Sequence, residues 1–229
     1  MNNHNILAID LAKDVFQVCK TNSQAKVLFN REYSRQKLQE LLITEKESLV
    51  AMESCCSAHY WSRFAMKYGH QVKMMDARSV KAFQTKQKTD RNDALAIAIA
   101  ATQTHIHSIK VHTIDEQAMQ SLERSRRLAL EQQVAQSNHI RSILSEFGFT
   151  VPQGVNSLRS RLPYLLEDAE NGLPFSIRRS LKTLWEHLLI QLAHVEELDE
   201  QLQGMIKTHP TCQKLIKLEG VGPLGALGL

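Results

Sequence analysis

The sequence predicts an α/β fold: a mixed sheet with helices on its faces, followed by a region of long helices. Three observations carry that expectation. Residues 5–33 hold three apolar, strand-like runs split by short polar turns. From residue 34 onward, helical periodicity alternates with short apolar runs. Beyond residue 113 the texture is mainly helical, interrupted by a stretch with several glycines and prolines.

The elements follow in order. Runs at 6–11, 15–20 and 25–33 read as strands, with 12–14 and 21–24 as hairpin turns. Residues 34–47 read as a helix with Leu38, Leu41, Leu42 and, at the margin, Ile43 on one side. Lys37, Gln39, Glu40 and Glu45 fall on the other. Residues 49–52 form a short buried strand ending at Glu53. A helix at 58–68 turns Tyr60, Trp61, Phe64 and Ala65 inward, and Gly69 ends it. A fifth strand at 71–75, a short helix at 77–83 and a loop at 84–88 lead into an alanine-rich helix that begins near Thr89. The fourth strand can pair in parallel with the first through the intervening helix. Ligands of open α/β sheets gather at the carboxyl ends of such strands, so Asp10 and Glu53 are expected side by side.

Residues 116–147 contain no proline or glycine and read as one long helix carrying Leu122, Leu128, Val134, Ile140, Ile143 and Leu144. Residues 148–174 read as a connection, with a short helix near 159–168. Residues 175–208 form a second long helix, with Leu181, Trp185, Leu188, Leu192, Val195, Leu202 and Ile206 at nearly heptad spacing. Two long helices of matched length point to an antiparallel pair or to a dimerising coiled coil. The arginines at 124, 126, 127, 141, 159, 161, 178 and 179 concentrate here, either as solvated side chains or as a phosphate-binding face. Residues 215–224 read as a helix, a Gly220-Val221-Gly222 turn and a new helix start at Pro223. The glycines free backbone N–H groups to face a phosphate, as in a helix-hairpin-helix unit. A tight interhelical turn is the plainer reading.

Composition narrows the class. The 229 residues are 43% hydrophobic and 23% charged, which is ordinary for a folded chain. The net charge of +4 permits a nucleic-acid partner without demonstrating one. Cys19, Cys55, Cys56 and Cys212 make no C-x-x-C pair, which points to a reducing cytoplasm. The N-terminus lacks the pattern of a signal peptide, and the longest apolar run is too short to span a bilayer. A soluble, cytoplasmic protein with no membrane partner is expected.

The chemistry concentrates in carboxylates. Asp90 and Asp93 lie three residues apart at the start of the alanine-rich helix, and so share one face. Each alone could be a helix-start residue, favoured by free N–H groups and the helix dipole. Asp10 and Glu53 are harder to dismiss, because an acid at the end of an apolar strand is costly without a partner. Together the four acids predict one metal site, and oxygen-only ligands favour Mg²⁺ or Mn²⁺ over zinc. A pair of such ions about 3.5–4 Å apart can serve phosphodiester chemistry. Lys88 and Arg91 stand close enough in sequence to steer a phosphate. His105, His107 and His112 follow that helix in a polar linker without cysteine partners, a poor zinc site.

The residues 6–14 (ILAIDLAKD), 51–53 (AME) and 88–94 (KTDRNDA) resemble the RuvC-like domain of DEDD insertion-sequence transposases, relatives of the Piv-type invertases. Residues 218–224 (LEGVGPL) resemble the start of that family's second conserved domain. The resemblance implies an RNase H-like catalytic domain at 1–112, a helical coiled-coil region at 113–209, and the start of a helix-hairpin-helix-like domain at 210–229. It implies metal-dependent DNA recombination, with the catalytic and metal roles at Asp10, Glu53, Asp90 and Asp93. Nucleic-acid contacts are expected at Lys88, Arg91, Gly220 and Gly222. DNA is the implied partner, with a structured guide RNA used by some relatives and a homo-oligomer formed through the coiled coil.

Two departures from the family pattern bear on function. Relatives tend to carry a glycine shortly after the glutamate, whereas this chain reads Ser54-Cys55-Cys56-Ser57, which implies a stiffer turn. The family's proposed serine nucleophile lies beyond the Gly-Val-Gly turn and matches no residue here, so the sequence reads as cut short. The rival from another class is a non-catalytic nucleic-acid-binding or dimerisation protein that keeps the fold. A strand aspartate followed by Lys13 also opens sugar-kinase-like and actin-like ATPases. Those need glycine-rich phosphate loops, and none stands between Asp10 and Lys20.

Overall fold

The computed structural model describes residues 4–22, 24, 26–84, 87, 89–223 and 225. The chain divides into two compact units, 1–113 and 114–229.

The first unit is built on a five-stranded mixed sheet. Strands β1 (Ile6–Asp10), β2 (Val15–Thr21), β3 (Val27–Ser34), β4 (Leu49–Glu53) and β5 (Gln71–Met75) take the spatial order β3-β2-β1-β4-β5. β1 and β2 pair antiparallel, as do β2 and β3, which is what short polar turns impose. β4 and β5 run parallel to β1. Their crossovers carry helices α1 (Arg35–Thr44) and α2 (Ala58–Lys67). Helices α3 (Ala77–Lys81) and α4 (Asp90–Thr102) follow β5.

Side-chain alternation along β1 sorts the core into two layers. Leu7 and Ile9 join Phe16, Val18, Val50 and Met52 beneath Leu38, Leu42, Trp61 and Ala65 of α1 and α2. Ile6 and Ala8 face the other way, with Cys19 and Ala51, against Ala94, Ile97, Ala98 and Ala101 of α4. Small residues on both sides of that second layer let the helix axis sit close to the sheet. That is why an alanine-rich segment, apolar on nearly every side, is buried here.

Two of the expected inward residues differ. Ile43 is 48% exposed and Tyr60 is 40% exposed. Leu38 and Leu42 already complete the single stripe of α1, which leaves Ile43 off its axis. Tyr60 lies beside Trp61, with ring centroids 5.3 Å apart, and covers its edge rather than entering the core. A buried polar staple joins α1 to β4. The Nδ1 atom of His70 accepts the Ser48 N–H at 3.2 Å, and Nε2 lies 2.8 Å from the Leu42 carbonyl. A carbonyl can only accept, so the proton sits on Nε2.

The second unit is helical. Helix α5 (Ile114–Glu146) and helix α7 (Phe175–Thr208) pack antiparallel within the chain. Ala129 clusters with Val195 and Leu198 near the middle of the pair, while Ile140 and Leu144 cluster with Leu181 and Leu188 toward the C-terminal end of α5. Arg126 donates to Asp199 through two nitrogens, and the Gln136 amide donates to the Leu184 carbonyl at 3.0 Å.

Two sequence expectations change in this unit. Where a connection with a short helix was expected, helix α6 spans Val155–Glu167 with Pro163 inside it. Leu158 and Leu162 are fully buried, and their packing outweighs the hydrogen bond that the proline forgoes. The helix expected at 215–219 lies earlier, as α8 (Pro210–Leu215), where Pro210 occupies the first turn. Turns follow over 216–220, and the expected second helix of the hairpin falls largely outside the described residues.

Candidate metal centre

β1 delivers Asp10 to the carboxyl end of the central strand, and β4 delivers Glu53 to the end of the strand beside it. The pairing Ile9↔Met52 puts the two acids next to each other in register. Asp10 shares the face of Ala8, and Glu53 that of Ala51, so both project from the α4 side of the sheet.

α4 brings the other two acids. Thr89 caps the helix, its hydroxyl accepting the Asn92 N–H at 3.3 Å. The cap role is therefore filled by a neutral side chain, and the helix-start explanation for Asp90 and Asp93 loses its main support. Asp93 accepts from the Gln84 amide at 3.1 Å.

Carboxylate oxygens of Asp10, Asp90 and Asp93 lie within 4.8 Å of one another. Among the described residues this is the one group of three or more acids, histidines or cysteines gathered that tightly. Asp10 and Asp93 are half-buried, while Asp90 is exposed. Oxygen donors at such spacing suit a hard divalent cation bound at about 2.0–2.6 Å, after small side-chain rotations. Three carboxylates so close repel one another, and a cation relieves that repulsion.

Glu53 is adjacent but outside the triplet. Its charge is felt by Cys55, whose thiol is pushed up to about 11 by burial first, then by Glu53 and Asp10. Arg91 is exposed in the first turn of α4, between the two aspartates in sequence. Lys88 lies outside the described residues. Gly220 and Gly222 are exposed in the second unit, Gly220 with φ of +83° and open space where a Cβ would stand.

Two polar residues that the sequence reading passed over stand behind the acids. The Gln17 amide donates to Asn30 Oδ1 at 2.6 Å, and Asn30 Nδ2 donates to the Arg91 carbonyl at 2.8 Å. Gln17 pairs directly with Asp10 across the β1–β2 ladder. The hairpin register was the available signal, since it sets which β2 residue faces Asp10.

The arginines of the helical unit divide. Arg126 and Arg178 are half-buried and tie helices together, Arg178 through the carbonyls of Leu165 and Leu166 and the side chain of Asn171. Arg141 donates to the carbonyls of Pro152 and Gly154. Arg124, Arg127, Arg159 and Arg179 remain exposed.

Comparison with known proteins gives a consistent result. A family model described as a transposase, of the DEDD type named for IS110, matches residues 7–149. The chain is 32% identical over its full length to the transposase for insertion sequence element IS1111A of Coxiella burnetii, covering 63% of that protein. It is 32% identical over 99% of its length to the transposase for IS1328 of Yersinia enterocolitica, covering 67% of it. A probable family 20 transposase of Pseudomonas aeruginosa is 31% identical over 96% of the chain, which covers 65% of that relative. The chain thus spans about two thirds of the length of these relatives. No helix among the described residues is long and apolar enough to cross a membrane. With its central aspartate and acidic helix start inside the matched segment, the chain belongs to the DEDD transposase family of IS110 type.

Proposed function

We propose that the sheet is an RNase H-like catalytic core whose Asp10, Asp90 and Asp93, with Glu53 beside them, hold Mg²⁺ or Mn²⁺ for phosphodiester chemistry on the DNA of an insertion sequence. The single observation that carries this reading is the convergence of Asp10 with two aspartates from a helix far along the chain. The strand order, with one antiparallel hairpin set beside a parallel pair, supports the RNase H-like assignment.

A cation bound there supplies a Lewis acid for a phosphodiester oxygen. The protein's own groups do the rest. Asp10 offers a ligand fixed by a buried strand, and the α4 turn offers two from a capped helix. Glu53 stands one strand over, at the register position beside Asp10, and is the ligand proposed to join when the cation binds. Arg91, and Lys88 three residues before it in the sequence, are proposed to draw the phosphate backbone toward the acids. DNA, a structured RNA and a second copy of the chain are the partners proposed, acting in the cytoplasm. Gly220 and Gly222 are proposed to offer backbone N–H groups to phosphate.

The test is Mn²⁺ titration of the purified chain beside Asp10→Asn. The wild type binds, and the variant loses at least tenfold in affinity while its circular dichroism stays unchanged. Equal affinity in the two proteins overturns the reading.

A further inference from the structure

The acids come from two separate elements, so their spacing depends on whatever locks α4 to the sheet at that end. Apolar packing fixes the middle of α4, through Ala94, Ile97, Ala98 and Ala101. It does little for the first turn, where Asp90 and Arg91 are exposed. A polar chain from the sheet reaches that turn, beside the bonds that Gln84 and the Gln87 carbonyl make to it from the preceding loop. Gln17, 6% exposed, donates to Asn30 at 2.6 Å, and Asn30 donates to the Arg91 carbonyl at 2.8 Å. The amide orientation of Asn30 is fixed by chemistry, because the Arg91 carbonyl can accept only from an N–H. That carbonyl has a second lone pair for the helix ladder, so the bond need not compete with helix formation.

The starting point of the chain matters as much as its end. Gln17 is the β2 residue paired with Asp10, and Asn30 follows it diagonally on β3, opposite Cys19. Two hydrogen bonds therefore connect the position facing Asp10 to the Arg91–Asn92 peptide in the first turn of α4.

We propose that Gln17 and Asn30 are positioning residues, a polar relay that sets the spacing between Asp10 on the sheet and the Asp90–Asp93 turn of α4. The proposal rests on the metal-site reading above for its functional meaning. Groups that orient metal ligands from behind typically change affinity about 10- to 100-fold when removed. Neither residue touches the ion or the reacting phosphate.

The experiment uses the full chain and Mn²⁺ alone as probe. Asn30→Leu keeps the size and removes both bonds. Mn²⁺ affinity falls roughly tenfold at a temperature where circular dichroism shows the variant folded. Gln17→Met weakens binding in the same direction, and the double variant is no weaker than Asn30→Leu, since both act through one carbonyl. Wild-type affinity in folded Asn30→Leu overturns the proposal, and full additivity removes Gln17 from it. Should Asn30→Leu fail to fold, Asn30→Asp decides. It still accepts from Gln17 but cannot donate to Arg91, while its charge alone would tighten cation binding. Weaker binding supports the relay, and equal or tighter binding overturns it. A wild type that binds no Mn²⁺ defeats the metal-site reading instead. Amide exchange at Asn92 and Asp93 then judges the relay, with faster exchange in Asn30→Leu supporting it and unchanged exchange overturning it.

Discussion

Ser57 shows how one residue stores backbone strain in a turn. Its φ of 70° is the only left-handed backbone at a non-glycine residue among those described, and it precedes α2 with no side-chain cap. An L side chain there costs about 1–2 kcal/mol, which glycine would avoid at some expense in unfolded-chain entropy. Ser57→Gly is expected to stabilise the fold by about 0.5–1 kcal/mol, read from urea denaturation; a loss of stability contradicts this. A second residue-scale expectation concerns pH. Cys19 is fully buried against α4, and burial raises its thiol from 9.0 to about 11, with Arg91 opposing. The folded state therefore favours the protonated thiol. Its contribution is complete below pH 9 and is lost as pH rises through about 11. Wild-type stability should fall more steeply over that window than that of Cys19→Ala, and parallel curves would contradict it. The places of Asp10 at a strand end and of Asp90 and Asp93 in a helix's first turn were legible, because strand alternation and helix-start chemistry are local. Asn30 was not, since its partner is the carbonyl of Arg91, which only the folded register brings near.

At the scale of elements, α4 carries the argument. Its N-terminus depends on Thr89, and its C-terminus on Lys73, whose ammonium donates to the carbonyls of Ala101 and Gln103 at 3.0 and 2.8 Å. Thr89→Ala should cost about 1 kcal/mol in global stability by urea denaturation, and no measurable change would contradict the capping role. The strands and long helices were readable from periodicity, and α7 occupies residues 175–208 as expected. α6 was readable in part, as a short helix near 159–168; its earlier start at Val155 was not, because the burial of Leu158 that anchors the first turns is a tertiary fact. The heptad-like stripe of α7 left two packing partners open. Shared clusters of Ala129 with Leu198 and of Ile140 with Leu188, and the Gln136 bond to the Leu184 carbonyl, assign much of it to α5 of the same chain.

The molecule as a whole joins a mixed sheet that bears the acids to a separate helical unit. The order of the strands explains why acids distant in sequence meet. β1 is central, β4 lies beside it in parallel, and α4 returns across the face that Asp10 and Glu53 share. Glu53 could not be ranked against the aspartates from sequence, because adjacency in register and convergence of side chains are different facts. Its place outside the triplet makes the metal, rather than the free protein, the agent expected to draw it in. The most direct measurement is a crystal structure of the protein soaked in Mn²⁺, with an anomalous difference map. The account predicts a peak bounded by oxygens of Asp10, Asp90 and Asp93 at about 2.0–2.3 Å. A map without density there, at a concentration that saturates binding in solution, would contradict it.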